Sequence, residues 1–110
     1  MPGSDVFTGT LELLILRALS GGAMHGYAIN RWIRERSGDV LRIEEGALYP
    51  ALHRLEKKKL VAAKWGSSEL GRQAKFYRLT VRGRRVLGLE QARWREYARG
   101  VESVLGHQES

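Results

Sequence analysis

One segment constrains the fold of this chain more than any other, because residues 81–105 carry the pattern of a single long helix. Its apolar residues recur at three- and four-residue spacing along one face: Leu87, Trp94, Ala98, Val101 and Leu105. A helix of about 24 residues is about 36 Å long at 1.5 Å per residue, which exceeds the breadth of so small a domain. Much of this stripe must therefore be covered from outside the domain, and the simplest partner is a second copy of the chain.

The first predicted helix also has more apolar surface than one domain needs. The Thr-Gly-Thr motif at residues 8–10 is typical of a helix cap, and the glycine pair at 21–22 is typical of a helix end. Leu13 and Leu16 lie off the main apolar stripe, so the helix is apolar on nearly every side. We expect its own domain to bury one face and a partner to bury the other.

Two more helices are predicted in the first half of the chain. The second runs from about residue 25 to 37, and the third runs from residue 45 or 46 to about 58. Pro50 is tolerated only in the first turn, where its missing N–H has no partner, so the third helix is expected to start near Gly46 or Ala47. The core face of this helix is formed by three leucines, Leu48, Leu52 and Leu55.

The remaining elements are strands. Apolar and polar residues alternate only weakly at 40–43, which predicts a short strand at best. Residues 60–65 and 75–80 have the pattern of two strands, and a long polar hairpin tip joins them. Three short helices, a two-stranded hairpin and a long helix follow the order of a winged helix-turn-helix. We therefore expect a mainly α fold with a small β-hairpin: a winged helix-turn-helix DNA-binding domain over residues 1–80 and a C-terminal dimerisation helix over residues 81–110.

Positive charge is concentrated in one part of the chain. Of the 19 Lys and Arg residues, 11 fall between Arg54 and Arg85, where only Glu56 and Glu69 oppose them. That window carries +9, and the whole chain carries +7. Charge confined to one segment is typical of a surface that binds a polyanion, and the alternative is a solvated cationic surface.

The third helix carries candidate DNA contacts on the face opposite its leucines. Tyr49, His53 and Lys57 are four residues apart, and Arg54 lies beside them. An α-helix fits the major groove of B-DNA, where His, Arg and Lys donate to purine acceptors or phosphates. Three alternatives stay open: Tyr49 as a half-buried packing residue, Arg54 paired with a neighbouring acid, and the lysines at 57–59 as a solvated helix end.

The hairpin adds Lys64, Arg72, Lys75 and Arg78, opposed by Glu69. Its length predicts that it reaches past the third helix toward a minor groove or phosphates. Arg72, at the tip, is the strongest single candidate for a DNA contact. Arg78, near the base, is an equally good brace between the hairpin and the last helix.

No pattern in the sequence favours an enzyme, a cofactor or a metal site. The chain has no cysteine, and His25, His53 and His107 lack metal-ligand spacing. The adjacent acids at 44–45 lie on a predicted turn, which is not the arrangement of a catalytic pair. The apolar stretch at 11–19 is interrupted by two charges and is too short to cross a bilayer. We expect a cytoplasmic protein without a membrane partner.

Four motifs make the sequence resemble the PadR family of bacterial transcriptional regulators. They occur in the family's order: the opening helix at Gly9–Leu16, the second-helix signature at His25–Ile29, the recognition-helix motif at Glu45–Glu56, and the second wing strand at Lys75–Thr80 followed by Gly83. The resemblance covers about residues 8–105. The four motifs are specific together, although each alone is weak. Position 47 is often Ser or Thr in this motif and is Ala47 here, so we leave it out of the DNA contacts.

The resemblance implies a homodimeric repressor that binds a palindromic operator, one recognition helix per half-site. The last helix is expected to pack mainly against the partner's first helix, through Leu13, Leu16, Leu87, Trp94, Ala98, Val101 and Leu105. Carried over to this sequence, the positions that face DNA are Tyr27, Tyr49, Pro50, His53 or Arg54, Arg72 and Lys75, to which the charge pattern adds Lys57 and Lys64.

The short last helix resembles a smaller subgroup of the family, in which some members bind planar drugs beside an aromatic residue of this helix. Trp94 stands where that residue is expected, and Tyr97 lies one turn further, so a planar aromatic effector is implied. The alternative is that Trp94 belongs to the dimer core. The alternative function is a winged-helix module that binds protein or RNA and has no sequence preference on duplex DNA.

Overall fold

The computed structural model describes the backbone of residues 2–106 and the side chains of residues 9–106. Along the chain the elements are α1 (Pro2–Leu19), β1 (Met24–His25), α2 (Gly26–Arg36), α3 (Glu45–Lys57), β2 (Val61–Ser67), β3 (Gln73–Leu79) and α4 (Val81–Leu105). The strands form one antiparallel sheet in the order β1-β3-β2. The predicted winged helix-turn-helix with a long last helix is confirmed.

Two local predictions were wrong, and one short strand was not predicted. Helix α1 begins at Pro2, before the cap expected at residues 8–10, and the Thr8 side chain lies outside the described residues. Residues 40–43 form no strand: they follow Gly38 and Asp39, both at positive φ, and Asn30 donates a 2.6 Å hydrogen bond to the Ile43 carbonyl. The short strand β1 was not predicted, because two residues carry no alternation that a sequence pattern can show.

Pro50 lies inside α3, beyond the first turn that the sequence argument required. A proline there removes one helical hydrogen bond, the one that the Gly46 carbonyl would have accepted. Gly46 and Pro50 are both exposed, so water can satisfy that carbonyl. The helix starts at Glu45 as expected, although the proline rule is not what fixes its start.

The core joins the three short helices to the sheet. Helix α3 contributes its leucines and Ala51, each at most 1% exposed, and they pack in one cluster with Ile15, Ile29 and Tyr77 among others. Burying each large aliphatic side chain stabilises the fold by about 1.5–3 kcal/mol. This packing fixes which face of α3 is turned outward.

Leu16 and Leu87 belong to this core, at 2% and 7% exposed. Their own chain covers them, so they have almost no surface left for a partner, which corrects their place in the predicted dimer interface. Beyond Leu87 the apolar side chains of α4 are uncovered: Trp94, Val101 and Leu105 are all exposed. The described chain measures 53 × 28 × 27 Å, so α4 extends well past the domain. No helix within residues 2–106 is long and apolar enough to cross a membrane.

The junction between the hairpin and α4 is built around Thr80. Its hydroxyl accepts a 2.9 Å hydrogen bond from the Gly83 N–H and donates one of 2.8 Å to the Lys59 carbonyl. Gly83 lies against the Leu60 carbonyl so closely that a Cβ there would overlap it. The cap and this close contact together hold α4 against the base of the wing.

Candidate nucleic-acid interface

The face of α3 opposite the core is exposed along its whole length. Gly46, Pro50, His53 and Lys57 all lie on it, and all four are exposed. They follow the three- and four-residue spacing of one helix face, offset from the buried leucines. The predicted contacts Pro50, His53 and Lys57 therefore lie together on one surface.

One flank of this face meets α2 through Tyr49 and Gly26. Tyr49 is 47% exposed, and its ring occupies the space that a side chain on Gly26 would fill. The preceding His25 caps α2, because its Nδ1 accepts a 3.2 Å hydrogen bond from the Ala28 N–H. Tyr27, which is 65% exposed, stands beside them, with the Arg31 guanidinium 5.7 Å from its ring centre. Tyr49 is thus both a half-buried packing residue and an accessible one.

A groove separates this flank from the wing. It is lined by aromatic and cationic side chains: Tyr27, Arg31, Tyr49, Trp65, Arg72 and Lys75. Lys75 lies 3.5 Å from the Glu56 carboxylate of α3 and 5.8 Å from the Tyr77 ring centre. Burial raises the pKa of the Tyr77 hydroxyl, although Lys75 acts in the opposite direction. The sequence analysis did not name Trp65 as a candidate DNA contact. A tryptophan beside basic residues in a predicted hairpin strand would have indicated it.

The register of the hairpin determines which wing residues face the groove. Trp65 pairs with Lys75 and Ala63 pairs with Tyr77, so these four side chains share one face of the sheet. Lys64, whose partner is Phe76, points to the opposite face. The structure therefore brings Arg72 and Lys75 toward α3 and leaves Lys64 outside the groove.

The wing tip is a compact turn. The Ser68 N–H donates a 2.7 Å hydrogen bond to the Arg72 carbonyl, and Gly71 takes a φ of +78°, which favours glycine. Strands β2 and β3 continue to Ser67 and Gln73, so the tip is shorter than predicted. Arg72 is exposed at the end of this turn.

The other flank of α3 is tied to α1 by a carboxylate. Glu12 Oε2 accepts a 2.7 Å hydrogen bond from Arg54 Nε, and Glu12 Oε1 accepts one of 3.0 Å from Lys58 Nζ. Burial by itself raises the pKa of Glu12, but these hydrogen bonds and positive charges outweigh it and the pKa is lowered. Arg54 is therefore paired with an acid, as one interpretation held, although the acid comes from α1. Glu12 was missed, because nothing in the sequence marked its distance from Arg54.

A second groove lies between α1 and α4 and contains the predicted effector residues. Trp94 and Tyr97 both line it, each about half exposed, together with Leu13, Glu12 and Lys58. No group of three His, Asp or Glu side chains that could hold a metal ion occurs among the described residues, which exclude His107.

Known proteins resemble this chain in both sequence and fold. The profile of the transcriptional regulator PadR-like family matches residues 15–89. The transcriptional regulator Rv3488 of Mycobacterium tuberculosis (strain ATCC 25618 / H37Rv) is 34% identical over 98 residues, covering 88% of this chain and 87% of that protein. An uncharacterized 37.1 kDa protein in transposon TN4556 of Streptomyces fradiae is 46% identical over 83 residues, which are 76% of this chain but only 22% of that protein.

A solved structure agrees with the sequence relatives. The PadR family transcription regulator from hypervirulent Clostridium difficile R20291 superposes with a TM-score of 0.75 at 31% identity. The match covers 87% of this chain and 98% of that one.

Proposed function

The chain belongs to the PadR-like family of transcriptional regulators, as its four motifs predicted, and we propose that it acts as a homodimeric repressor that binds a palindromic operator in duplex DNA. One observation carries the proposal: the face of α3 turned away from the core is exposed and holds His53 and Lys57, with the ion-paired cations Arg54 and Lys75 on its two flanks. The family is one of transcription factors, so the chain is not an enzyme.

In the proposed complex α3 enters the major groove with its exposed face toward the bases. His53 can donate to purine N7 or guanine O6, and the Pro50 ring can contact thymine methyl groups, while Lys57 can donate to phosphates. Tyr49, on one flank of α3, and Tyr27, at the start of α2, can meet sugars and phosphates, which position a protein without reading sequence. Arg72 and Lys75 then follow the backbone from the wing.

Dimerisation is proposed to use the uncovered half of α4. Trp94, Ala98, Val101 and Leu105 lie on one helical face, and all but the half-buried Ala98 are exposed in a single chain. Leu13 of α1 remains partly accessible for the same contact. We assign residues 1–80 to DNA binding and residues 81–110 to dimerisation. Two-fold symmetry of the dimer then requires two-fold symmetry of the operator.

A gel shift with DNA from just upstream of the chain's own gene, with random competitor present, tests this function. A dimer that retains the upstream fragment at competitor excess supports it, and sedimentation at micromolar concentration checks the dimer. A monomer, or equal affinity for upstream and random DNA, contradicts it. Equal affinity would favour the alternative of a general protein- or RNA-binding module.

Release by a planar aromatic effector is proposed at the groove that holds Trp94 and Tyr97. Their rings and the neighbouring Leu13 offer apolar surface to a flat ligand. Tryptophan fluorescence titrated with planar aromatic compounds should be quenched in the wild type and not in Trp94→Ala. Equal quenching in both proteins contradicts the proposed site and leaves Trp94 as dimer core.

A further inference from the structure

Glu12 connects the helix proposed for dimerisation, α1, to the helix proposed for DNA binding, α3. It lies on α1, the helix proposed to meet the partner subunit, and it binds Arg54 and Lys58, which are 42 and 46 positions later, at the end of α3. Each of its carboxylate oxygens accepts one of these hydrogen bonds. The Glu12 side chain is 16% exposed, whereas those of Arg54 and Lys58 are 40% and 54% exposed.

We propose that Glu12 is a specificity-determining residue that holds Arg54 and Lys58 away from phosphates on arbitrary DNA and fixes the angle of α3 against α1. The proposal rests on the proposed function. Non-specific binding is almost entirely electrostatic, because each cation that contacts a phosphate releases a counterion. Two cations held by one partly buried carboxylate, which offsets one of their two charges, contribute less to that non-specific binding energy.

The same contact also has a geometric effect. Arg54 and the C-cap residue Lys58 are four positions apart, about one helical turn, so a single carboxylate that binds both restrains the rotation and tilt of α3. Base contacts need that restraint, since a bidentate hydrogen bond tolerates little displacement, whereas phosphate contacts do not. Loss of Glu12 should therefore weaken sequence-specific binding and strengthen non-specific binding.

The direct test is Glu12→Gln in the full-length chain, with affinities measured on an operator and on random duplex over a range of salt. The slope of log affinity against log salt concentration on random DNA should steepen by about 0.9 for each cation that is freed from Glu12 and contacts a phosphate. The ratio of operator to random affinity should fall by roughly tenfold, the effect of one lost hydrogen bond to a charged group. An unchanged ratio overturns the proposal.

Glu90→Gln is the matched control. Glu90 lines the same groove, but its ion pair, at 3.1 Å, is with Arg93 of the same helix α4. The substitution changes the net charge by the same amount, so it should leave the ratio as in the wild type. An equal fall in both variants would show a general charge effect and would also overturn the proposal.

A second pair of variants avoids any effect of Glu12 on folding. Lys57 and Lys58 are adjacent and exposed, but within the described residues only Lys58 has an ion pair. Lys57→Gln should lower the salt slope on random DNA by about 0.9, whereas Lys58→Gln should leave it nearly unchanged because Glu12 already holds that charge. Equal losses contradict the inference alone. A wild type without preference among duplexes contradicts the proposed function instead.

Discussion

Gly26 and Tyr49 share one space: a Cβ placed on Gly26 would lie 2.6 Å from the Tyr49 hydroxyl oxygen and 2.8 Å from two ring carbons. Gly26 is the first residue of α2, and Tyr49 lies on a half-exposed flank of α3. The missing side chain therefore lets the tyrosine ring pack against the start of α2. The contact gives a physical reason for glycine within the His25-Gly26-Tyr27 motif, since α2 itself does not need it.

Gly26→Ala should impair DNA binding more than stability. The Tyr49 ring is half exposed and can rotate away, so we expect the free energy of unfolding to change by about 1 kcal/mol or less. A rotated ring no longer holds its position beside the groove, and operator affinity should fall about as much as in Tyr49→Ala. Fluorescence anisotropy measures the affinities.

The double variant Gly26→Ala, Tyr49→Ala checks that explanation. Because both changes remove the same contact, their losses should not add. Gly21→Ala, at a glycine with no neighbouring atom within 4 Å, serves as the control and should bind DNA as the wild type does. Additive losses would mean that Gly26 acts through something other than Tyr49.

Gly83→Ala should destabilise the fold itself. The atom in its way is the backbone carbonyl of Leu60, which cannot rotate aside, so we expect a loss of about 1–3 kcal/mol. Gly88→Ala, in the same helix and with nothing within 4 Å, should instead raise stability by about 0.5–1 kcal/mol. Urea unfolding distinguishes the two, and a tolerated Gly83→Ala would refute the close packing of α4 on the wing.

The Glu12 contact should make stability depend on pH. Its pKa is lowered from the usual 4.5, so its contribution is fully present above pH 4.5 and is lost as the pH falls through the lower, folded-state value. The difference in free energy of unfolding between wild type and Glu12→Gln should therefore be larger at neutral pH than in acid. Urea unfolding at several pH values measures it, and a difference that is constant with pH would contradict the assignment.

Arg72 and Lys64 should differ in their effect on DNA binding, although both are wing cations. Arg72 borders the groove beside α3, and Lys64 points to the opposite face of the sheet. Arg72→Ala should lower the salt slope by about 0.9 and weaken operator and random DNA alike, as expected for a phosphate contact. Lys64→Ala should do neither. The reverse result would mean that the outer face of the wing approaches the DNA.

The sequence predicted the elements because their patterns are local. The spacing of Leu48, Leu52 and Leu55 is sufficient to orient α3, and the three- and four-residue spacing within residues 81–105 is sufficient to predict α4. The burial of Leu87 was not predictable in the same way, because periodicity places a residue on a face without saying what covers that face. Its own domain covers the first part of the α4 stripe and leaves the later part open.

Contacts between residues far apart in the chain could not be predicted from the spacing of residue types along the sequence. In the sequence, Glu12 is a charged residue that interrupts an apolar segment, and no pattern connects it to Arg54. The fold nevertheless brings the two side chains into contact. The exclusion of Lys64 depends on the register of β2 against β3, and a shift of one residue would have turned it toward α3. The density of positive charge along the sequence predicted which segment carries the cationic surface. Ion pairs and strand pairing between different elements then decide which of its Lys and Arg side chains remain available to bind DNA.

The most direct measurement is selection of binding sites from a pool of random duplexes at physiological salt, using the wild-type chain. A dimer that presents two α3 faces should enrich an inverted repeat whose half-sites are centred about 10 bp apart, one helical turn. Enrichment of a single unpaired half-site, or of no motif at all, would contradict a two-fold symmetric dimer that is joined through α4 and binds DNA through its two α3 helices.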